Sequence, residues 1–257
     1  MASEPPPDAP EQRRLLMLAQ LLAVSGGLAD AGSLLLAGSF TGHLTGNSVL
    51  LLVSLGHGDL RHAIFCLLAL AMFVAGSAAG QLWPKRIGGG LDRFQPVLLL
   101  ELLCMILPLG LALLLPPWHR PLLLAGLAFG NGLQNGALDR VAGVSVHGTY
   151  LTGMSSSLLS ATLVKPDRAK RAILARTVGC FLLGALAAVP LASAFGTAGL
   201  LPVALPLLAA LGVCRGRAGA PARPDDPAGV AATGRVDAMG ETATASPWAG
   251  ADPSPGR

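Results

Sequence analysis

Six long apolar runs dominate this sequence: Leu15 to Phe40, Ile64 to Trp83, Pro96 to Leu115, Pro121 to Leu138, Ala172 to Ala194 and Thr197 to Cys214. Each is near the ~20 residues that cross ~30 Å of hydrocarbon as a helix. Only 12% of the 257 residues are charged, about half the share of a soluble domain, and the mean hydropathy is +0.60. These values argue against a soluble globular enzyme. Aromatic residues make up 4% while Leu and Ala abound, which favours helices in lipid over a strand-rich barrel.

Two further apolar stretches, Asn47 to Leu55 and Met154 to Val164, are about half a span long and follow Gly-rich, Thr-containing loops. They read as half-helices. The first run is longer than a signal h-region, carries Asp30 and lacks a cleavage pattern, so it reads as a retained span. Residues 1–12 and 215–257 are rich in Pro, Ala and Gly without an apolar period and read as disordered tails around one transmembrane domain, 13–214.

The net charge of +4 and pI of 9.2 bear on topology rather than on nucleic acid, because cytoplasmic loops collect Lys and Arg. With six spans and both termini cytoplasmic, Arg13, Arg14, Lys85, Arg86, Arg93, Arg140, Lys165, Arg168, Lys170, Arg171, Arg215 and Arg217 lie inside, and only Arg61 and Arg120 outside. If the two short segments also crossed, Lys85, Arg86, Arg93 and Arg140 would move outside and Arg61 and Arg120 inside, a weaker bias. The six-span count is therefore preferred to eight crossing segments in a parallel repeat. The Arg-, Ala- and Pro-rich composition fits a bacterial inner (plasma) membrane protein.

An internal repeat runs through the spans. Gly27-Leu28-Ala29-Asp30-Ala31 aligns with Gly132-Leu133-Gln134-Asn135-Gly136 at an offset of 105, as does Ala37-Gly38 with Ala142-Gly143. Leu44-Thr45-Gly46-Asn47 then aligns with Leu151-Thr152-Gly153-Met154 at 107, and Arg61 with Arg168. Repeat one is 13–116 and repeat two 120–214, each with three crossings and one half-helix. An odd number of crossings inverts the second copy in the membrane, so the half-helices enter from opposite faces. The expected fold class is an all-α polytopic bundle of six spans plus two re-entrant half-helices in an inverted repeat.

A helix that begins within the bilayer presents unpaired N–H groups and a positive dipole end, which suits an anion or a polar solute. Thr45 and Thr152 occupy the expected N-cap places, each followed by a glycine, Gly46 or Gly153, that permits close approach. Asp30 lies inside the first span, where an isolated carboxylate costs ~2.5 to 3.5 kcal/mol, so it must be partnered, protonated or facing a wet cavity. Its packing alternative is a buried bond to Asn135. Candidate solute contacts are Asp30, Thr45, Gly46, Asn47, Gln134, Asn135, Thr152 and Gly153, with Asp30 and His43 as candidate proton carriers. Glu101 reads as an interfacial acid that snorkels or pairs with Arg93, and Asn131 shares a helical face with the Gln134–Asn135 pair. His43 and His147 are not repeat equivalents, which argues against a metal pair. Cys66, Cys104, Cys180 and Cys214 have no ligand spacing.

Gly27 to Ala31 with Asp30, then Gly38, Phe40 and Thr45-Gly46-Asn47, and later Gly132-Leu133-Gln134-Asn135 with Thr149-Tyr150 and Thr152-Gly153, resemble the bacterial YoaK family, an integral-membrane domain of unknown function. The resemblance covers about residues 13–214, and Gly136 and Met154 depart from the Ala and Thr that look usual there. It implies membership and topology and brings no activity with it.

No H-E-x-x-H, G-x-S-x-G or P-loop motif occurs, so an enzyme is not expected. The preferred reading is a transporter or channel for a small polar or anionic solute, with proton coupling through Asp30. The alternative is a non-transporting scaffold or accessory protein whose polar residues only join helices. Neither a cofactor nor a nucleic-acid partner is expected; the bilayer is the partner, and a homo-oligomer is compatible.

Overall fold

The computed structural model describes residues 9–82, 91, 94–115, 119–137, 140–141, 144–145, 151–164 and 166–215. Their helices are α1 (Ala9–Ala37), α2 (Leu44–Gly56), α3 (Leu60–Leu82), α4 (Gln95–Leu114), α5 (His119–Ala137), α6 (Leu151–Leu163), α7 (Arg168–Phe195) and α8 (Ala204–Arg215), with a 3-10 stretch, Gly196–Val203, between the last two. A minimal antiparallel ladder pairs β1 (Arg140–Val141) with β2 (Val144–Ser145). Lys85, Arg86, Arg93, Asp139, His147, Thr149, Tyr150, Lys165, Arg217 and the rest of the C-terminal tail lie outside the described residues.

Four stretches are long and apolar enough to cross a membrane: Ala9–Ala37, Leu60–Leu82, Gln95–Leu114 and Arg168–Arg215. Helix α5 is not in this set, since His119, Arg120 and the trio Asn131, Gln134 and Asn135 dilute its apolar run. Large apolar side chains such as Leu67, Val74, Leu103, Leu186 and Leu208 face outward, while Leu18, Leu98, Met105, Leu127 and Leu207 fill the interior. An apolar exterior around an apolar interior is the pattern of a helix bundle solvated by lipid.

Two local boundaries differ from the sequence reading. Helix α1 opens at Ala9, inside the segment expected to be a tail, because Pro10 is pre-set for a first helical turn and Glu11 complements the positive end of the helix. The last apolar run is not one helix: Pro202 sits within the 3-10 stretch, and α8 begins only at Ala204. Proline supplies no N–H to an α-helical ladder and so breaks the run there.

Contacts between distant residues fix the helix directions. At one end of the bundle Arg14 Nε donates to the carbonyl of Val213 at 3.1 Å and Gln95 Nε2 donates to that of Cys214 at 3.5 Å, which gathers the start of α1, the end of α8 and the start of α4. At the other end His62 Nε2 donates to the Gly38 carbonyl at 2.8 Å, so α3 starts where α1 stops. A cavity of about 420 Å³ there, lined by Gly38, Arg61, His62 and Arg120 among others, adds the start of α5. Gly199 lies against Leu191, and the Leu200 side chain against Gly32, so α7 ends near the end of α1. Helices α1, α4 and α7 therefore run one way, and α3, α5 and α8 the other.

Helix α2 is a shorter apolar helix of 13 residues. Beyond Ala37 the chain turns at Gly38, whose φ of +75° suits glycine, and the segment 38–43 doubles back beside α1 until Thr41 and Gly42 bond to Asp30. Helix α2 then returns the chain toward the start of α3, where Ser54 Oγ meets His62 Nδ1 at 2.8 Å.

The packing repeats with the sequence. Helices α2 and α6 each have 13 residues and are offset by 107. Gly27 of α1 abuts the Phe181 carbonyl of α7, and its repeat equivalent Gly132 of α5 abuts the Phe73 carbonyl of α3. The first long helix of each half thus packs, glycine to backbone, on the long helix that follows the other half's short helix. Likewise α4 packs on α5, and α8 on α1.

Candidate functional site

The turn-back at Gly38 brings a buried acid and a histidine together. Asp30 is 2% exposed. Its Oδ1 accepts hydrogen bonds from Thr41 N at 2.8 Å, Thr41 Oγ1 at 2.8 Å and Gly42 N at 2.6 Å. Its Oδ2 stands 3.1 Å from His43 Nε2, an ion-pair distance when the imidazole is protonated, yet without the alignment of a hydrogen bond. One oxygen holds the loop in place, and the other remains available to exchange partners.

The surroundings of His43 give it a protected side and an open side. The Phe40 and Phe181 rings meet the imidazole edge-on at centroid distances of 5.2 and 6.1 Å, while 29% of the side chain is exposed. His43 is also the residue immediately before α2. The first N–H groups of α2, which have no carbonyl a turn earlier, accordingly begin beside the carboxylate.

A second layer positions this pair. Asn131 Nδ2 donates to Thr41 Oγ1 at 2.7 Å, linking α5 in the second half to Asp30 in the first. Asn47 Nδ2 donates to the Phe40 carbonyl at 2.7 Å, and the Phe40 N–H donates to Asn47 Oδ1 at 2.9 Å, bracing the loop against the first turns of α2. His62 spans the Gly38 carbonyl and Ser54 Oγ, and Ser39 Oγ lies 3.3 Å from Cys66 Sγ. A carbonyl can only accept, so His62 Nε2 carries a proton.

The remaining sequence candidates divide. Thr45 is exposed, and α2 has no side-chain cap, so Thr45 does not act as the N-cap hydroxyl: the helix starts two residues earlier than that role requires, with His43 at the N-cap. Gly46 packs under the Phe40 ring. Asn47 is committed to Phe40 rather than open to a solute. The amide that reaches toward Asp30 is Asn131, one turn before the Asn135 expected from the repeat, because the loop rather than the helix carries the bridging group. Gln134 is buried with both amide atoms unpartnered, and Asn135 is half-buried. Thr152 and Gly153 open α6, which packs on α7; the Thr152 side chain lies outside the described residues.

One residue of the polar core, Thr41, escaped sequence reasoning, and a second, Glu101, lies deeper than its position in the sequence suggests. Thr41 bridges Asp30 and Asn131, and its only sequence signal is the Thr41-Gly42-His43 triplet four residues before the similar Thr45-Gly46-Asn47. Glu101, expected to snorkel, is 0% exposed, and neither carboxyl oxygen has a partner. Ser25 Oγ and Asn131 Oδ1 are also unpartnered. Each such orphan costs ~1–3 kcal/mol in a dry interior, so the cluster is a departure that calls for a reason.

Among the described residues no group of three or more His, Cys, Asp or Glu side chains could hold a metal ion. The four cysteines are free thiols. What the arrangement offers chemically is proton binding, at a carboxyl and an imidazole in contact, together with polar recognition at a helix end.

The sequence profile of a family described as a protein of unknown function, DUF1275, matches residues 18–213. No curated protein and no solved structure matches the chain. The matched segment runs from within α1 nearly to the end of α8 and includes the whole polar core, so the protein is a member of the DUF1275 family.

Proposed function

We propose that this protein is a YoaK-like carrier of the bacterial inner membrane that moves a small polar solute in exchange for, or together with, a proton held by Asp30 and His43. The observation that carries the reading is the buried Asp30 beside the part-exposed His43, at the start of a short helix that turns back within the bundle. A buried ionisable pair with one open side is what proton handling requires, and ionisable groups kept inside a bundle are functional by default. The alternating helix directions support six crossings with both termini on the Arg14 side, where positive charge predicts the cytoplasm. The exchanged packing of the two halves supports an inverted repeat, in which sites form at the repeat interface.

The geometry narrows the solute. Asp30 already offsets the positive end of α2, so the site as built favours a neutral polar solute over the anion expected from the dipole alone. A scaffold is the competing reading, favoured by Asp30 Oδ1, which is saturated by the loop.

The test is reconstitution of the full chain into vesicles loaded with a pH-sensitive dye, followed by a panel of small neutral and charged polar solutes. Transport predicts a solute-dependent pH change above that of protein-free vesicles and its loss in Asp30→Asn. Fluxes equal to the protein-free control across the panel would establish the scaffold reading instead.

A further inference from the structure

The polar core continues beyond Asp30 into the half of the bundle nearer Arg14. Gly130 lies against Met105, and Gly126 against the Cys104 carbonyl and Pro108, so α4 and α5 are antiparallel neighbours. Glu101 lies one turn before Met105 on α4, and Gln134 one turn after Gly130 on α5. Both are buried, and all four of their side-chain oxygen and nitrogen atoms are unpartnered. Arg14 and Gln95 mark a common level, since they bond the adjacent carbonyls Val213 and Cys214. At 1.5 Å per residue Glu101 sits ~9 Å past that level and Asp30 ~24 Å past it. Asn131, with its free Oδ1, lies one turn before Gln134 on α5 and joins Asp30 through Thr41.

We propose that Glu101 is a second proton-binding site, and that Gln134, Asn131 and Thr41 form with it a polar line conducting protons between the Arg14 end and the Asp30–His43 pair. Orphaned polar groups in one line are a costly way to pack helices and a direct way to hold bridging water, which buried polar groups recruit. The step balances simply: the Glu101 O–H bond breaks, its electron pair stays on the carboxylate, and the proton passes through bridging water to Asp30 Oδ2 or His43 Nε2. The fixed charges nearest Glu101 along the bundle are Arg14 and Arg215 at its end. The elements packed on α4 are α5, whose ionisable residues His119 and Arg120 are at its far end, α8, with Cys214 and Arg215 at its terminus, and the 3-10 stretch, which has no ionisable side chain. On α4 itself Cys104 is the other ionisable group. The role rests on the carrier reading; the proton binding does not.

Infrared difference spectra of the full chain in phospholipid vesicles, between acid and alkaline pH, test the proposal. A carboxylic C=O band that appears at acid pH, shifts in D2O, is absent in Glu101→Gln and persists in Asp30→Asn is expected. Gln134→Leu, which removes the next amide of the proposed line, moves that band. A pH-dependent spectrum identical in Glu101→Gln overturns the proposal, as does a Glu101 band that neither responds to pH nor exchanges in D2O, or one that Gln134→Leu leaves in place. If wild-type vesicles transport no solute yet show the Glu101 band, the carrier reading fails and the proton site stands. If they transport with the same pH profile in Glu101→Gln, the conducting role fails and the carrier reading stands.

Discussion

Asp30 and Glu101 are both carboxylic acids buried in apolar helices, yet they are treated in opposite ways. Asp30 meets three donors on one oxygen and a histidine on the other, whereas Glu101 meets none. Helix α1 ends seven residues after Asp30 and the chain folds back over it, delivering backbone N–H groups to the acid. Helix α4 continues well beyond Glu101, so all its local N–H groups are occupied within the helix. A carboxyl in the middle of a helix can be satisfied only by side chains of neighbours or by water. The contrast shows how a broken helix makes a buried acid a structural clamp as well as a chemical group.

The comparison can be broken most severely at the packing beneath it. Gly132→Leu forces a side chain into the Phe73 backbone and separates α5 from α3, which carries Asn131 away from Thr41. We expect no folded protein by size-exclusion chromatography in detergent, and a monodisperse peak would refute the close contact. Asp30→Ala strips the loop of its acceptor and is expected to destabilise by about 3–5 kcal/mol, the range for breaking a buried charge pair. Asp30→Asn retains an acceptor oxygen and costs less; equal losses in a thermal melt would mean that charge, not hydrogen bonding, holds the loop.

Glu101 should behave with the opposite sign. Glu101→Met replaces an unpartnered buried acid with an apolar chain of similar length, and we expect neutrality or a gain of about 1–4 kcal/mol in stability, with any transport lost. A marked loss of stability would mean that Glu101 has partners in the membrane. A smaller effect separates Thr41→Val from Thr41→Ser: the valine breaks the Asn131–Thr41–Asp30 link for about 1–3 kcal/mol, and the serine keeps it. The smallest belongs to Thr45→Ala, within about 0.5 kcal/mol because the side chain is exposed and caps nothing. A drop well beyond that in the same melt would restore Thr45 to the site.

Much of the architecture was legible because it rests on local rules. Apolar runs of span length marked the long helices, except the run from Thr197 that breaks at Pro202, half-length runs after Thr-Gly marked α2 and α6, and the offset of 107 between those two helices is the offset read from Leu44 and Leu151. Asp30 stood out since a carboxylate within an apolar run is costly wherever it packs. The partners of Asp30 did not stand out. Thr41 looked like one more loop hydroxyl, and Asn131 like a helix-face amide, because their meeting depends on how far the chain doubles back after Gly38. Thr45 and Asn47 misled for the same reason: the Thr-Gly-Asn spacing marks where a short helix begins, not which of its side chains turns inward.

By itself the sequence determined that this chain forms long and short apolar helices with an acid in the first of them, since hydropathy and periodicity act residue by residue along the chain. Only the tertiary structure decided which buried polar atoms are satisfied. That depends on which carbonyls, amides and hydroxyls distant helices bring within about 3 Å of one another, the range of a hydrogen bond, and the tertiary structure leaves Asp30 clamped and Glu101 bare.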